Sequence, residues 1–173
     1  KDLCANTPND VRAQMIAYDD PETGVVKSGE YWLKKFIGNK DLGYTFRRNN
    51  PRIFRITDAY LMAAEAGIEI GKQSVADEYL NAVVKRADPT AEDVVATLDR
   101  IQLERQKEFI GEGHRFFDVM RTGGEIVRDM DVDVRDYDGD PKRVITWNDH
   151  IIVLPIADTE FTVHPKLQQN PGY

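Results

Sequence analysis

Seven charged residues raise the first chemical question: Glu104, Arg105, Glu108, Glu112, Arg115, Asp118 and Arg121, all within ERQKEFIGEGHRFFDVMR. Glu104, Glu108 and Glu112 recur at steps of four, so one helix would carry them in a single row. Glu112 and Arg115, Arg115 and Asp118, and Asp118 and Arg121 are each three apart, which makes them neighbours on a helix surface. Two carboxylates can serve as acid and base in glycoside hydrolysis, but they must flank the substrate from opposite sides. A row on one helix does not do this. Arginines three residues away also keep a carboxylate ionised, which weakens it as a general acid. The stretch reads as a structural ion-pair helix, and no catalytic residue is assigned.

Other constellations are weaker. The run Asp129, Asp131, Asp133, Asp136, Asp138, Asp140 invites a calcium reading, with acids at loop positions 1, 3, 5 and 12 counted from Asp129. Position six is Val134 where the turn needs glycine, and the closing residue is Asp140 instead of glutamate, so a solvated acidic loop fits better. His114, His150 and His164 show none of the paired helical spacing of metalloproteases. No metal or cofactor is expected. Neither a nucleophile elbow nor a phosphate-cradling glycine motif occurs. Cys4 is the only cysteine, which excludes an internal disulfide and a cysteine-rich zinc site. It also lacks the small and apolar residues expected before a lipid-anchored cysteine.

Ligand binding has a small set of candidates. Tyr31, Trp32 and Trp147 lie in polar, irregular segments, and Asn148 follows Trp147 directly. Flat aromatic faces can stack on sugar rings, with Asn148 and Asp149 within reach of hydroxyls. The alternative is that these rings pin loops to the body, since aromatics supply large buried area.

These residues need a scaffold. Residues 1–51 are irregular, with β-prone pieces at Val25–Val26 and Tyr31–Ile37, and are expected to wrap a helical body. Ile56, Tyr60, Ala63, Ala64, Gly67 and Ile70 recur at helical steps, and Gly71 supplies a stop. Ser74, with Asp77 in a weak capping-box place, is expected to start a second helix carrying Ala76, Tyr79, Leu80, Val83 and Val84. The two helices form a tetratricopeptide-like hairpin, which cannot bury both faces alone. Thr90 with Asp93 is expected to open a third helix, carrying Val94, Leu98, Ile101, Arg105 and Phe109. A short amphipathic piece from His114 to Met120 follows, closed by Gly123 and Gly124. Ile126 to Asp140 reads as an exposed acidic loop, and Ile151 to Leu154 as a short strand or extended segment ending at Pro155. The fold class is mainly α, a helical hairpin decorated by long loops and short β segments. Residues 1–173 are read as one domain, with wrapping loops at 1–51, a helical core at 55–124, and loops and tail at 125–173.

Composition narrows the partners. The 173 residues are 41% hydrophobic and 31% charged, enough for a folded domain with a core. A net charge of −7 argues against nucleic acid or acidic lipid as partner and leaves a neutral sugar or a basic peptide open. No apolar run approaches the ~18 residues that span a bilayer. The opening KDLCANTPND lacks the basic-then-apolar start of a signal peptide, so these residues are expected to be part of a longer chain.

In order along the chain come YWLKKF, NNPRIFRITDAYLMAAEA, YLNAVVKRA, IQLERQKEFIGEGHRFFDVMRTG and IIVLPIADTEFTVHPKLQQNPGY. Together these segments resemble the C-terminal region of the SusD/RagB family, with Asn9 to Arg12 as an outlying match. The resemblance implies a right-handed bundle of tetratricopeptide-like hairpins. It also implies a surface lipoprotein that captures glycan or peptide without cleaving it, as a lid over a TonB-dependent, SusC-like outer-membrane transporter. Family members carry a lipid-anchored N-terminal cysteine and further helical hairpins, and the closing QNPGY resembles the family's natural end. The charged residues of the ion-pair helix match family framework. The leading expectation is a non-catalytic glycan-binding protein of nutrient uptake. The alternative is an assembly module that docks on the transporter while ligand is bound elsewhere; a glycosidase is the third reading.

Overall fold

The structure, a computed structural model, describes residues 7, 9–17, 32–36, 38, 49, 52–127 and 144–173. Tyr31, the pair Val25–Val26 and the acidic run from Asp129 to Asp140 lie outside the described residues. The chain divides into two compact units, Lys1–His114 and Arg115–Tyr173. The division falls inside the segment read from sequence as a helical core.

The first unit is built on a hairpin of α1 (Ile56–Glu69) and α2 (Gln73–Ala87). In α1 the buried positions are Thr57, Leu61, Ala64 and Gly67; in α2 they include Ala76, Leu80, Val83 and Ala87. Steps of three and four put each set on one helical face. The faces meet most closely at Gly67, where a Cβ would lie 3.0 Å from the Ala76 nitrogen and 3.1 Å from its Cβ. Gly71, at φ 71°, ends α1 in a Schellman turn: Lys72 N–H donates to Gly67 O at 2.8 Å, and Gly71 N–H to Ile68 O at 3.1 Å. Tyr60 and Tyr79 meet edge to face at 5.4 Å across the hairpin. The core adds Ala96, Ile101 and Phe109 to Leu61, Ala64, Ala76, Leu80 and Val83.

Two helix starts differ from the expectation. Ser74 does not cap α2, which begins at Gln73 behind Lys72. The third helix, α3 (Leu98–Glu108), begins eight residues after Thr90, with the Thr97 hydroxyl accepting from Arg100 N–H at 3.2 Å. The reason is a row of polar side chains on α2. The Asn81 amide donates to Val94 O and accepts from Val94 N–H, both at 2.8 Å. Asp77 accepts the Ala96 N–H at 2.6 Å, and Gln73 Nε2 donates to Ala96 O at 2.9 Å. These bonds hold Val94 and Ala96 against α2, and residues 91–97 form neither helix nor strand. Thr90 is diverted as well, since its N–H and hydroxyl both donate to Asp88.

The charged stretch is two helices, not one. α3 ends at Glu108, Gly111 and Gly113 take φ of 75° and 81°, and α4 spans His114–Arg121. A Cβ on Gly111 would stand 2.4 Å from Leu33 Cδ2 and 3.0 Å from Phe36 Cε2. Positive φ and close packing both require glycine here. Leu33 belongs to a two-strand ribbon, β1 (Ile16–Ala17) paired antiparallel with β2 (Trp32–Leu33). Short 3-10 turns at Val11–Met15 and Lys34–Phe36 flank it.

In the second unit, β3 (Glu125–Val127) and β4 (Val144–Thr146) pair antiparallel, with Ile126 opposite the buried Ile145. The segment Ile151–Leu154, expected as a short strand or extended segment, starts in a 3-10 turn, His150–Ile152, and continues as extended chain toward α5 (Asp158–Val163). The tail then folds back on that chain. The Gln169 amide makes both main-chain bonds of Ile156, at 2.8 and 2.9 Å. Asn170 Nδ2 donates to Leu154 O at 2.8 Å, and Tyr173 OH to Val153 O at 2.9 Å. Among the described residues no helix is long and apolar enough to cross a membrane.

Candidate functional site

Glu108 occupies the last position of α3 and is 3% exposed. Three arginines converge on its carboxylate: Arg55 at 2.7 Å, Arg86 at 2.6 Å and Arg12 at 3.2 Å. Arg55 also grips Glu112 with a two-pronged contact at 2.9 and 3.1 Å. Lys35 pairs with Glu112 and donates to the carbonyls of Glu108 at 2.7 Å and Ile110 at 3.2 Å. A helix end leaves its last carbonyls unpaired, and cations there meet both the hydrogen-bond need and the dipole.

A second layer surrounds Arg12, which is 4% exposed. Its guanidinium binds Asp10 through Nε at 2.8 Å and Nη2 at 2.7 Å. Nη2 also lies 2.6 Å from Glu104 Oε1, a charge contact without hydrogen-bond alignment. Arg105 pairs with Asp58 at 2.9 Å. The guanidinium groups of Arg55 and Arg105 lie 5.0 and 5.1 Å from the Phe109 ring centre, and His114 stacks on that ring at 4.3 Å.

The electrostatics follow from this packing. Burial pushes the Glu108 carboxyl up, but hydrogen bonds from Arg55 and the charges of Arg86, Arg55 and Arg12 outweigh it and hold the group below its ordinary value. Asp10 is likewise held low, with burial overcome by its bonds to Arg12. Arg12 and Arg55 are shifted up despite burial, by Asp10 and Glu104 in one case and Glu108 and Glu112 in the other. Burial shifts Lys35 down in spite of Glu112. A buried carboxylate held ionised by three arginines cannot donate a proton to a leaving group near neutral pH.

The structure therefore gathers Glu104, Glu108 and Glu112 into one network with Arg12, Lys35, Arg55 and Arg86, while Arg105 pairs separately with Asp58. α3 ends at Glu108 and α4 begins at His114, so Glu112 and Arg115 do not share a helix as their spacing suggested; Arg115 and Asp118 do share α4 but form no ion pair among the described residues. In the second unit Asp118 does pair with Arg121, at 3.0 Å. Sequence reading missed Asp10, Arg12, Lys35, Arg55 and Arg86, which come from loops and a neighbouring helix. The one available signal was Asp10 and Arg12 standing together in a polar loop.

The aromatic candidates separate. Trp32 lies in β2 and is half-buried, with its Nε1 enclosed and without a hydrogen bond, so it is not an exposed ring. Trp147 is 53% exposed. It lies in the turn that follows β4, beside Gly123, where a Cβ would be 3.8 Å from the indole Cδ1 and Nε1. Asn148 is exposed, and its amide makes no hydrogen bond among the described residues. Asp149, missed as a turn residue in sequence, accepts from Thr146 N–H at 2.6 Å and from its hydroxyl at 3.0 Å. No group of three or more histidine, cysteine or acidic residues suited to a metal ion occurs among the described residues.

Comparison with known proteins identifies the family. The SusD family model matches residues 16–173. A SusD-like protein, P25, from Formosa agariphila is 31% identical over the whole of this chain, which spans 34% of that relative. A SusD superfamily structure from Bacteroides vulgatus has 35% identity and a TM-score of 0.79, covering 99% of this chain and 38% of that one. Surface glycan-binding protein A from Bacteroides thetaiotaomicron, solved in complex with laminarihexaose, has 29% identity and a TM-score of 0.68 over 95% of this chain and 38% of its own. The chain thus spans little more than a third of these relatives. The mainly helical, tetratricopeptide-like architecture is shared with the solved structures. With the family model matching residues 16–173, the chain belongs to the SusD family.

Proposed function

We propose that this chain is part of a non-catalytic glycan-binding protein of the bacterial cell surface, associated with the outer membrane through a lipid anchor outside these residues. It would pass its ligand to a TonB-dependent transporter. The observation that carries the reading is the turn at Trp147 and Asn148, an exposed indole beside an amide with no protein partner among the described residues. An aromatic face covers the C–H face of a pyranose while an adjacent amide bonds its hydroxyls. A structural relative holds laminarihexaose, which supports a glucan as the class to try first. The Glu108 carboxylate, held ionised by its arginines, is unsuited to act as a general acid, which supports binding without cleavage.

Electrophoresis through gels containing neutral polysaccharides, laminarin among them, tests this. The protein should be retarded by at least one polysaccharide and should release no reducing sugar from it. Unchanged mobility on every gel would remove the glycan reading, and release of reducing sugar by the purified protein would make it an enzyme.

A different observation favours a second reading, an assembly module docking on the transporter. Ile53, Phe54 and Ile56 stand exposed at the start of α1, Ile53 at 92%. Clustered exposed apolar residues mark interaction surfaces. Capture of the protein by purified transporter without glycan, lost in Phe54→Ser, would support it.

A further inference from the structure

The turn that carries Trp147 is more constrained than an exposed loop needs to be. Thr146, Trp147, Asn148 and Asp149 form a four-residue turn closed by Asp149 N–H donating to Thr146 O at 3.1 Å. The Asp149 side chain closes it again from the other side, with one carboxylate oxygen accepting both the N–H and the hydroxyl of Thr146. The turn is also tied at both ends. Upstream, Thr146 pairs with Glu125 in the β3–β4 ribbon, next to the buried Ile145. Downstream, Ile152 N–H donates to Asp149 O at 3.2 Å, opening the 3-10 turn. The indole edge lies beside the Gly123 turn that ends α4. Trp147 and Asn148 therefore occupy the two central positions of a turn fixed by Asp149.

We infer that Asp149 is a positioning residue: its carboxylate fixes this turn so that the Trp147 ring and the Asn148 amide meet the same pyranose of a neutral oligosaccharide. The inference rests on the glycan reading above and extends it. Binding to a shallow surface pays for ordering loops and side chains, and a turn ordered beforehand avoids that cost. The ligand class follows from the platform. An uncharged indole beside an uncharged amide suits a neutral sugar with one C–H face and a hydroxyl at its edge.

The test uses the whole chain and a panel of neutral hexasaccharides: laminarihexaose, maltohexaose, cellohexaose and mannohexaose. The tightest binder is then titrated against variants. Asp149→Ala should weaken binding about tenfold, the scale of one or two side chains that must be ordered on binding. In a Trp32→Phe background it should also make Trp147 fluorescence more open to acrylamide quenching without ligand. Asp149→Asn keeps an oxygen acceptor for Thr146 and should restore most of both properties. If Asp149→Ala melts at working temperature, Thr146→Val, which removes only the hydroxyl arm, should give a smaller loss in the same direction. Unchanged binding in Asp149→Ala or Thr146→Val, with binding lost in Trp147→Ala, would overturn the positioning role and leave the glycan reading standing. If the wild-type chain binds none of the four sugars, the glycan reading falls and this inference falls with it.

Discussion

Arg12 and Glu108 are separated by 96 positions in sequence and by 3.2 Å in space. The contact ties a loop near the start of the chain to the last turn of α3. It is one of three arginine contacts on a single carboxylate, and all of them lie within the first compact unit. Glu108 therefore holds together Arg12, the Arg55 loop before α1 and Arg86 at the end of α2.

Glu108→Gln should be strongly destabilising. It keeps the shape but leaves Arg12, which is buried, with one counter-charge fewer. Removing one member of a buried ion pair costs roughly 3–5 kcal/mol, whereas exposed pairs are worth about 1 kcal/mol or less. Asp118→Asn, whose partner Arg121 is substantially exposed, should cost less. Urea unfolding of the two variants checks the order, and equal costs would place the stabilising centre elsewhere.

Acid should loosen the first unit. Glu108 and Asp10 are held below their ordinary values by their arginines. A depressed carboxylate contributes stability that is present above its unfolded value and lost as pH falls through its folded one. Melting temperature should hold steady down to about pH 4–5 and then drop. Glu108→Gln should start lower and show a shallower fall. A variant whose acid limb matched the wild type in slope would exclude Glu108 from the linkage.

The helix starts show how much of this was legible beforehand. The α1–α2 hairpin could be read because its buried residues repeat at helical steps and Gly71 stands where a Schellman turn needs it. The start of α3 could not, because Thr90 and Asp93 resemble a cap locally. The deciding bonds come from Asn81, Asp77 and Gln73, residues on another helix. The charged stretch folds as two helices instead of one continuous row. Its carboxylates and the separate piece from His114 to Met120 are visible in sequence, but steps of three and four count across the glycines at Gly111 and Gly113 as if the helix ran on. Of their partners, Lys35 and Arg55 are fixed only by tertiary packing. At the ligand-side candidates, Trp32 and Trp147 looked alike because both lie in polar segments. In the structure Trp32 is half-buried in β2, whereas Trp147 is exposed.

Asn81→Ala gives a local test of that account. It removes two bonds to Val94 and leaves a main-chain donor and acceptor without partners. The expected cost is about 1–3 kcal/mol. Amide exchange at Val94 and Ala96 should quicken more than at Leu80 in the core of α2. Equal quickening at all three would mean that the segment before α3 is not held by this row.

The central claim is that glycan is held on the face of Trp147. Calorimetric titration of wild type and Trp147→Ala with whichever neutral glycan retards the protein in a gel tests it most directly. Base-stacking aromatics in other proteins contribute about 1–3 kcal/mol per ring, and a sugar on an indole face should lose a similar amount, roughly five- to 150-fold in affinity. The account predicts a loss in that range with the melting temperature unchanged. Equal affinity in the two proteins would contradict it and move the binding surface away from this turn.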